Sequence, residues 1–253
     1  MKFKHLRIFT VVLVGIVVIL FVSRIEKPQI SGAPPYGEPE SAVPLDQSYS
    51  WQDKWIRPEV PATVGLQVGH WKNNELPEEL SKLIGNTGAQ GGGKTESEVN
   101  LVIVELIAEI LRKEGVQVDI IPATVPKDYW ADVFVAIHAD GSADLSTNGF
   151  KIASPWRDLS GDSKSLVEDM VQRYQASTNL AIDPNISRNM RGYYAFSWWR
   201  YDHAIHPMTT ALIVETGFLT SSHDRKIIVE KPLLSAIPIA EAILEYLRNE
   251  AIL

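Results

Sequence analysis

The sequence predicts an α/β fold: a mainly parallel, mixed sheet of about six strands that is covered by helices on both faces. Three apolar runs predict buried strands at residues 64–69, 131–138 and 209–215, because short uninterrupted apolar segments are typical of strands covered on both faces. Amphipathic helical patterns separate these runs, and strands that alternate with helices are typical of a parallel sheet. A polar residue lies at the end of each run, His70, His138 or Glu215.

Local patterns define the helices. The strongest signal covers residues 95–115, where Thr95 and Glu98 have the spacing of a capping box and apolar residues recur at helical spacing up to Gly115. A glycine at that position is a typical helix stop. A second helix is predicted at residues 163–178, and a closing helix at residues 232–248 contains Pro238, which we expect to kink it.

The other segments connect these elements. Further strands are predicted at residues 116–121 and 149–154, and residues 192–199 form an aromatic strand or loop. Residues 70–94 form a long loop with five glycines, and loops of that length inside a domain are usually functional or mobile.

Composition excludes several classes of protein. The chain has 253 residues, of which 45% are hydrophobic and 22% charged, and this balance predicts one globular domain plus extensions. A net charge of -7 without a long basic run argues against a nucleic-acid partner, because phosphate binding needs a basic patch. There are no cysteines, so any metal must be held by His, Asp or Glu.

The N-terminal quarter divides into segments of different composition. Residues 1–7 are short and basic, residues 8–23 are almost entirely apolar, and residues 24–61 are rich in proline. We interpret residues 8–23 as a transmembrane signal anchor, with a cleaved signal and a secreted form as the alternative. Residues 24–61 are then a linker, and residues 62–253 a single folded domain. The slight excess of positive charge before the anchor places that domain outside the cytoplasm, on a single-pass membrane protein.

Four residues carry the candidate chemistry: His70, Glu96, His138 and Glu215. Each one alone has a plainer explanation, since a single histidine beside a strand is usually structural and a glutamate in the first helical turn favours the helix dipole. Together they supply two imidazoles, one carboxylate ligand and one further carboxylate. These are the three ligands and the additional carboxylate that a catalytic zinc site with an open fourth position requires.

Four motifs resemble a known family. They are Val-Gly-His at 68–70, Glu-Ser-Glu-Val-Asn-Leu at 96–101, Ile-His-Ala-Asp at 137–140 and Val-Glu-Thr-Gly-Phe at 214–218. The sequence resembles the zinc-dependent N-acetylmuramoyl-L-alanine amidases of the type 3 class over roughly residues 64–248. The resemblance implies that His70, Glu96 and His138 bind Zn²⁺ and that Glu215 is the general base. It also implies hydrolysis of the amide between N-acetylmuramic acid and L-alanine in peptidoglycan.

The sequence departs from the family pattern near the expected substrate. Trp71, Lys72 and Asn73 follow the first histidine in place of the usual glycines, and Asp140 stands where asparagine is usual. Two alternatives therefore stay open: a zinc peptidase or amidase that acts on another extracytoplasmic amide, and a catalytically silent module that binds the cell wall.

A cluster of cationic and aromatic residues precedes the last strand. Arg191, Trp198 and Arg200 are our candidates for substrate binding, as a platform for sugar faces or peptide carboxylates. The competing explanation is that the aromatic residues of this cluster belong to the core.

Overall fold

The computed structural model describes residues 49 and 51–253, and these form a mixed five-stranded sheet with helices. The main sheet has the strand order β4-β1-β5-β7-β6, in which only β6 runs antiparallel to its neighbour. A separate two-stranded hairpin is made by β2 and β3. The strands are β1 (Thr63–Val68), β2 (Gln90–Gly91), β3 (Lys94–Thr95), β4 (Gln117–Ile121), β5 (Val133–Asp140), β6 (Lys151–Ala153) and β7 (Thr210–Phe218).

Among the described residues, five α-helices accompany the sheet: α1 (Glu96–Lys113), α2 (Ser163–Thr178), α3 (Arg188–Arg191), α4 (Ser222–Ile228) and α5 (Leu233–Asn249). Short 3-10 helices occur at Gln52–Lys54, Asn73–Glu75, Glu78–Leu83 and Tyr194–Phe196. The predicted α/β class is confirmed. The main sheet has five strands where about six were expected, and α4 carried no periodic signal that sequence reasoning detected.

The two faces of the sheet are covered differently. Helices α1, α2 and α5 pack on one face, where Val133, Val135 and Ile137 of β5 contribute to the larger core cluster. The alternate residues Phe134 and Ala136 point to the second face. That face is covered by α3, by 3-10 helices and by loops, because the segments after β1 and after α2 are too rich in glycine, proline and aromatic residues for long helices.

Helix α1 begins as the capping-box spacing predicts. The Thr95 side chain accepts a hydrogen bond from the Glu98 backbone N–H, and the Glu98 carboxylate accepts one from the Thr95 N–H at 2.8 Å. Glu98 is therefore occupied at the helix start, and Glu96, in the first helical position, turns inward and is fully buried. The capping box thus decides which of the two glutamates reaches the interior.

The end of the predicted linker packs against the catalytic domain. Trp55 stacks on His206 with ring centroids 5.8 Å apart, and Trp51 contacts Trp198 edge-on at 6.3 Å. Arg57 binds Asp132, which precedes β5, through two hydrogen bonds of 2.6 and 2.9 Å. We call residues 49 and 51–57 the docked segment. The boundary predicted at residue 62 stays a prediction, and these contacts add the docked segment to the packed unit.

The predicted anchor at residues 8–23 and most of the linker lie outside the described residues. Within the part of the chain that the structure describes, no helix has both the length and the apolar character needed to cross a bilayer.

Candidate active site

The carboxyl ends of three parallel strands bring the candidate residues to one edge of the sheet. Val68 pairs with Ile137, so the loop that carries His70 leaves β1 beside His138. His138 pairs in turn with Glu215 on the neighbouring strand. The side chains of both residues lie on the second face of the sheet, in phase with Ala136 and Ile213. The topology therefore places His138 and Glu215 side by side.

His70, Glu96 and His138 form a compact cluster. Their ligand atoms all lie within 4.8 Å of one another. Nδ1 of His138 is 3.0 Å from Oε1 of Glu96, and Nε2 of His70 is 3.5 Å from the same oxygen. The His70 Nδ1–H donates to the Asn86 carbonyl at 2.8 Å, so its Nε2 is the nitrogen that faces Glu96. A hydrogen bond of this kind to the distal nitrogen is the usual way to orient a histidine toward a metal.

The spacing of the three ligand atoms fits one tetrahedral ion. Nitrogen and oxygen ligands at about 2.0–2.1 Å from zinc lie about 3.3 Å from one another in tetrahedral geometry. The two separations from Glu96 Oε1 to the histidine nitrogens, 3.0 and 3.5 Å, bracket that value, and all three ligand atoms lie within 4.8 Å of one another. Two imidazoles and one carboxylate are also the donor set of several catalytic zinc sites that keep the fourth position open. The residues present therefore fit a metal. Among the described residues, His70, Glu96 and His138 are the one group of three or more His, Asp or Glu side chains that lie close enough together to hold an ion.

Two glycines make room for this cluster. A Cβ atom at Gly69 would lie 2.5 Å from Nδ1 of His138. A Cβ atom at Gly88 would lie 2.2 Å from Oε2 of Glu96, and the positive φ of 70° at Gly88 is also suited to glycine. Larger residues at either position would displace a candidate ligand.

The charge states of the cluster suit metal binding. Burial alone would raise the pKa of Glu96, but attraction to His70, the hydrogen bond with His138 and donation from the Ala89 N–H outweigh it and lower that pKa to about 2. Burial lowers the pKa of His138, in spite of the nearby Glu96 carboxylate. An ionised Glu96 and a neutral His138 are the forms that bind a metal.

Glu215 differs from Glu96 in its surroundings. Its side chain is buried, and among the described residues no hydrogen-bond partner contacts Oε2. Burial raises the pKa of Glu215 well above its ordinary value, and repulsion from Asp140 and Glu96 raises it further. A buried carboxyl oxygen without a partner beside a metal site is costly for folding, and such groups are concentrated where chemistry occurs.

A cavity of about 220 Å³ opens beside Glu215. Its polar walls are Asp140, Ser142, Lys151 and Ser187, and its apolar walls are Met190 and Phe218. Lys151 pairs with Glu215 across β6 and β7, so the order along the sheet edge is His138, Glu215, Lys151. The cavity adjoins the cluster through Glu215, which pairs with His138 on the neighbouring strand.

The structure does not bring the three proposed substrate-binding residues to the cluster. Trp198 contacts the docked segment and lines a cavity with Thr209, which precedes β7, whereas Glu215 lies near the other end of that strand. Arg200 is exposed and lies over the Tyr201 ring. Arg191 stacks on the Trp156 ring at 4.1 Å. A role in substrate binding stays a prediction for all three.

Sequence reasoning missed several residues of this site. Asn100 is buried one helical turn after Glu96, and its side chain donates to Glu96 Oε1 and to the Gly69 carbonyl at 3.4 Å each. The i, i+4 spacing from Glu96 was a signal that could have identified it. Lys151 was also recognisable, as a single charge in a short predicted strand. The role of Gly88 depends on the loop conformation and had no sequence signal.

Comparisons with known proteins agree with this geometry. A model of the family N-acetylmuramoyl-L-alanine amidase matches residues 64–249. Among curated proteins, no significant match is found. Among solved structures, an N-acetylmuramyl-L-alanine amidase from Mycobacterium smegmatis superposes with a TM-score of 0.54 at 18% identity, covering 74% of this chain and 97% of that one. An N-acetylmuramoyl-L-alanine amidase from Clostridium difficile 630 gives 0.53 at 21% identity, covering 75% and 98%.

A third structure, the catalytic domain of the amidase CwlV from Bacillus (Paenibacillus) polymyxa var. colistinus, gives a TM-score of 0.51 at 20% identity and covers 74% of this chain and 98% of that one. At these identities the superpositions establish the fold. The family match covers both candidate histidines and both buried glutamates. The chain therefore belongs to the N-acetylmuramoyl-L-alanine amidase family, whose members hydrolyse the amide between N-acetylmuramic acid and L-alanine in peptidoglycan.

Proposed function

We propose that this amidase uses a single Zn²⁺ held by His70, Glu96 and His138, with Glu215 as general base. The observation that carries the proposal is the pairing of His138 with Glu215 on adjacent strands, because it places a buried carboxylate outside the ligand set but next to it. The ligand set is complete without Glu215, so the second glutamate is available for proton transfer.

The metal would supply Lewis-acid chemistry, polarising the scissile carbonyl and lowering the pKa of a coordinated water to about 7. The protein residues supply the rest. His70 and His138 bind through the nitrogens that face Glu96, and the Asn86 carbonyl fixes the His70 ring. Oε2 of Glu215 takes the proton of the attacking water and returns it to the leaving amine nitrogen.

The substrate is oriented by the order of groups along the sheet edge. The scissile carbonyl would lie at the cluster of His70, Glu96 and His138, and the amine that hydrolysis releases would lie within reach of Glu215. The peptide side of the bond then extends into the cavity lined by Asp140, Lys151 and Ser187. Arg191 stays a candidate for peptide contact because it lies on α3 with Met190, which lines the same cavity.

We further propose that the catalytic domain lies outside the cytoplasm on the anchor at residues 8–23. The support is the sequence itself, an apolar run flanked by basic residues before a proline-rich linker, together with a substrate that is extracytoplasmic. Protease treatment of spheroplasts tests this topology. Degradation of the domain in intact spheroplasts is expected, and full protection would contradict it.

The experiment on the site compares His138→Ala with Glu215→Gln. His138→Ala removes a ligand and should lose both zinc and activity. Glu215→Gln keeps the ligand set, so we expect about one zinc per chain with activity lower by on the order of 10²–10⁴-fold. His203→Ala is the matched control, because His203 pairs with Glu79 at a distance from the cluster and should keep both zinc and activity.

Zinc content by elemental analysis and product release from purified peptidoglycan are the readouts. If Glu215→Gln stays active, or loses its metal as His138→Ala does, the two roles are assigned wrongly. Release of peptides that begin with L-alanine supports the amidase reaction, and cleavage at another amide would favour the peptidase alternative.

A further inference from the structure

Lys151 is a buried charge that the mechanism above does not use. It lies on β6 with only 10% of its side chain exposed, and its ammonium contacts Asp140 Oδ2 at 2.5 Å and Asp183 Oδ2 at 3.2 Å. Burial alone would lower the pKa of Lys151, but attraction to Asp140, Glu215 and Asp183 outweighs burial and raises it. Lys151 is therefore a permanently charged group inside the protein.

The position of Lys151 links it to the catalytic carboxylate. It pairs directly with Glu215 in the sheet, and its side chain lies on the same face, in phase with Ala153. Lys151, Asp140 and Glu215 line the same cavity. Asp183 is not among the lining residues, and its other oxygen accepts from Asn185 at 2.9 and 2.6 Å. Lys151 thus has one carboxylate partner that lines the cavity, Asp140, and one that does not, Asp183.

Two carboxylates, Asp140 and Glu215, face this cavity, and like charges in one low-dielectric space repel each other. Asp140 follows His138 by two residues, where the register between β5 and β7 shifts. Its Oδ1 accepts from the Gly141 N–H at 2.7 Å, and its Oδ2 is held by Lys151. Without the ammonium, the Asp140 side chain would keep only the local backbone bond and could rotate into the cavity.

We propose that Lys151 is a positioning residue for hydrolysis: its ammonium fixes the Asp140 carboxylate on the cavity wall and keeps this second negative charge from turning toward Glu215 and the substrate. This proposal rests on the role of Glu215 proposed above. It also accounts for the charged residue at position 140, since a buried Asp140 requires a cation close by.

The test begins with Lys151→Met, which has a similar length and no charge. We expect a kcat lower by roughly tenfold or more, less than the about 10²–10³-fold that follows loss of a direct transition-state donor. Zinc content should stay at about one per chain. Lys151→Arg restores the charge and should recover part of kcat.

Two double variants separate positioning from a purely structural role. The double variants are Lys151→Met/Asp140→Asn and Lys151→Met/Asp183→Asn. Each removes the lysine and one carboxylate charge, so the two have the same net charge. Each also leaves one buried carboxylate without its cation where Lys151→Met leaves two, so both should fold better than the single variant. In the first, no free carboxylate remains at position 140, and kcat should return toward wild type. In the second, Asp140 stays unrestrained and kcat should stay low. Asp183→Asn alone leaves the Lys151 contact with Asp140 and should have normal kcat.

Activity is measured with peptidoglycan fragments under saturating substrate, on protein with confirmed zinc content and thermal unfolding midpoint. Equal kcat for the two double variants, or a normal kcat for Lys151→Met, would overturn the proposal. Failure of the Glu215 assignment is recognised separately, because Glu215→Gln would then be active regardless of the residue at position 151.

Discussion

The salt bridge between Arg57 and Asp132 gives a quantitative prediction about where the catalytic domain begins. Asp132 has a side chain only 2% exposed, and Arg57 is 29% exposed. The guanidinium donates to both carboxylate oxygens, at 2.6 and 2.9 Å. Asp132 Oδ2 also accepts from the Thr63 N–H at 2.9 Å, so the same carboxylate fixes the start of β1.

Arg57→Ala removes both charged hydrogen bonds and leaves the buried carboxylate with one donor. Charged hydrogen bonds contribute about 1.5–3 kcal/mol each, and the partial exposure of Arg57 reduces the sum because water replaces part of the contact. We expect the free energy of unfolding to fall by about 2–3 kcal/mol. For a domain of this size that lowers the thermal midpoint by roughly 4–12 °C.

The assay is urea and thermal unfolding of a chain that starts at residue 49. Arg248→Ala is the matched control, because Arg248 pairs with Glu114 while both side chains are about half exposed, at 53% and 47%. Loss of such a surface pair costs less than about 1 kcal/mol. Asp132→Asn and the double variant complete a mutant cycle. If Arg57→Ala is no more destabilising than Arg248→Ala, or the cycle shows no coupling, the docked segment is not part of the domain and the boundary at residue 62 stands.

Three further predictions concern the site. Gly69→Ala should weaken zinc affinity by about 10–100-fold in a competition titration, because the new Cβ would lie 2.5 Å from Nδ1 of His138. Gly93→Ala is the control: its Cβ meets no atom within 4 Å, so this variant should bind zinc normally although the φ of 73° lowers its stability. In metal-free protein, Glu215→Gln should be more stable than wild type at neutral pH but not below pH 4.5. The Glu215 carboxyl loses its proton near pH 4.5 in the unfolded chain, whereas its raised pKa keeps the proton on in the folded state, so wild-type stability falls as the pH rises above 4.5. Equal urea midpoints of the two proteins at neutral pH would contradict this prediction. Removal of metal by a chelator should lower the unfolding midpoint of wild type, and zinc at 100 times its dissociation constant should restore about 2.7 kcal/mol, with no such gain in a Glu96→Gln variant that has lost a ligand.

The sequence alone determined the fold class and most of the chemistry. Apolar runs long enough for buried strands, the capping box at Thr95 and the helical periodicity that follows are local patterns, and their structural outcome does not depend on distant residues. The two histidines and two glutamates at predicted strand ends and a helix start were expected to meet, because the carboxyl ends of parallel strands share one edge of the sheet, and the structure places them together. Their roles as ligands and base come from the resemblance to the family and stay a prediction. The capping box also explains why Glu98 stays at the helix start while Glu96 turns inward.

Tertiary structure decided what depends on neighbours distant in sequence. The pairing of Lys151 with Glu215 requires the antiparallel placement of β6 beside β7, and nothing in a three-residue strand specifies its partner. The docking of Trp51 and Trp55 on His206 and Trp198 joins residues about 150 positions apart, so composition alone assigned that segment to a linker. Trp198 lies toward the start of β7 and contacts the docked segment, because the direction in which an aromatic side chain points is set by the surface available to cover it. Local periodicity fixes which elements form, and long-range packing fixes which side chains meet.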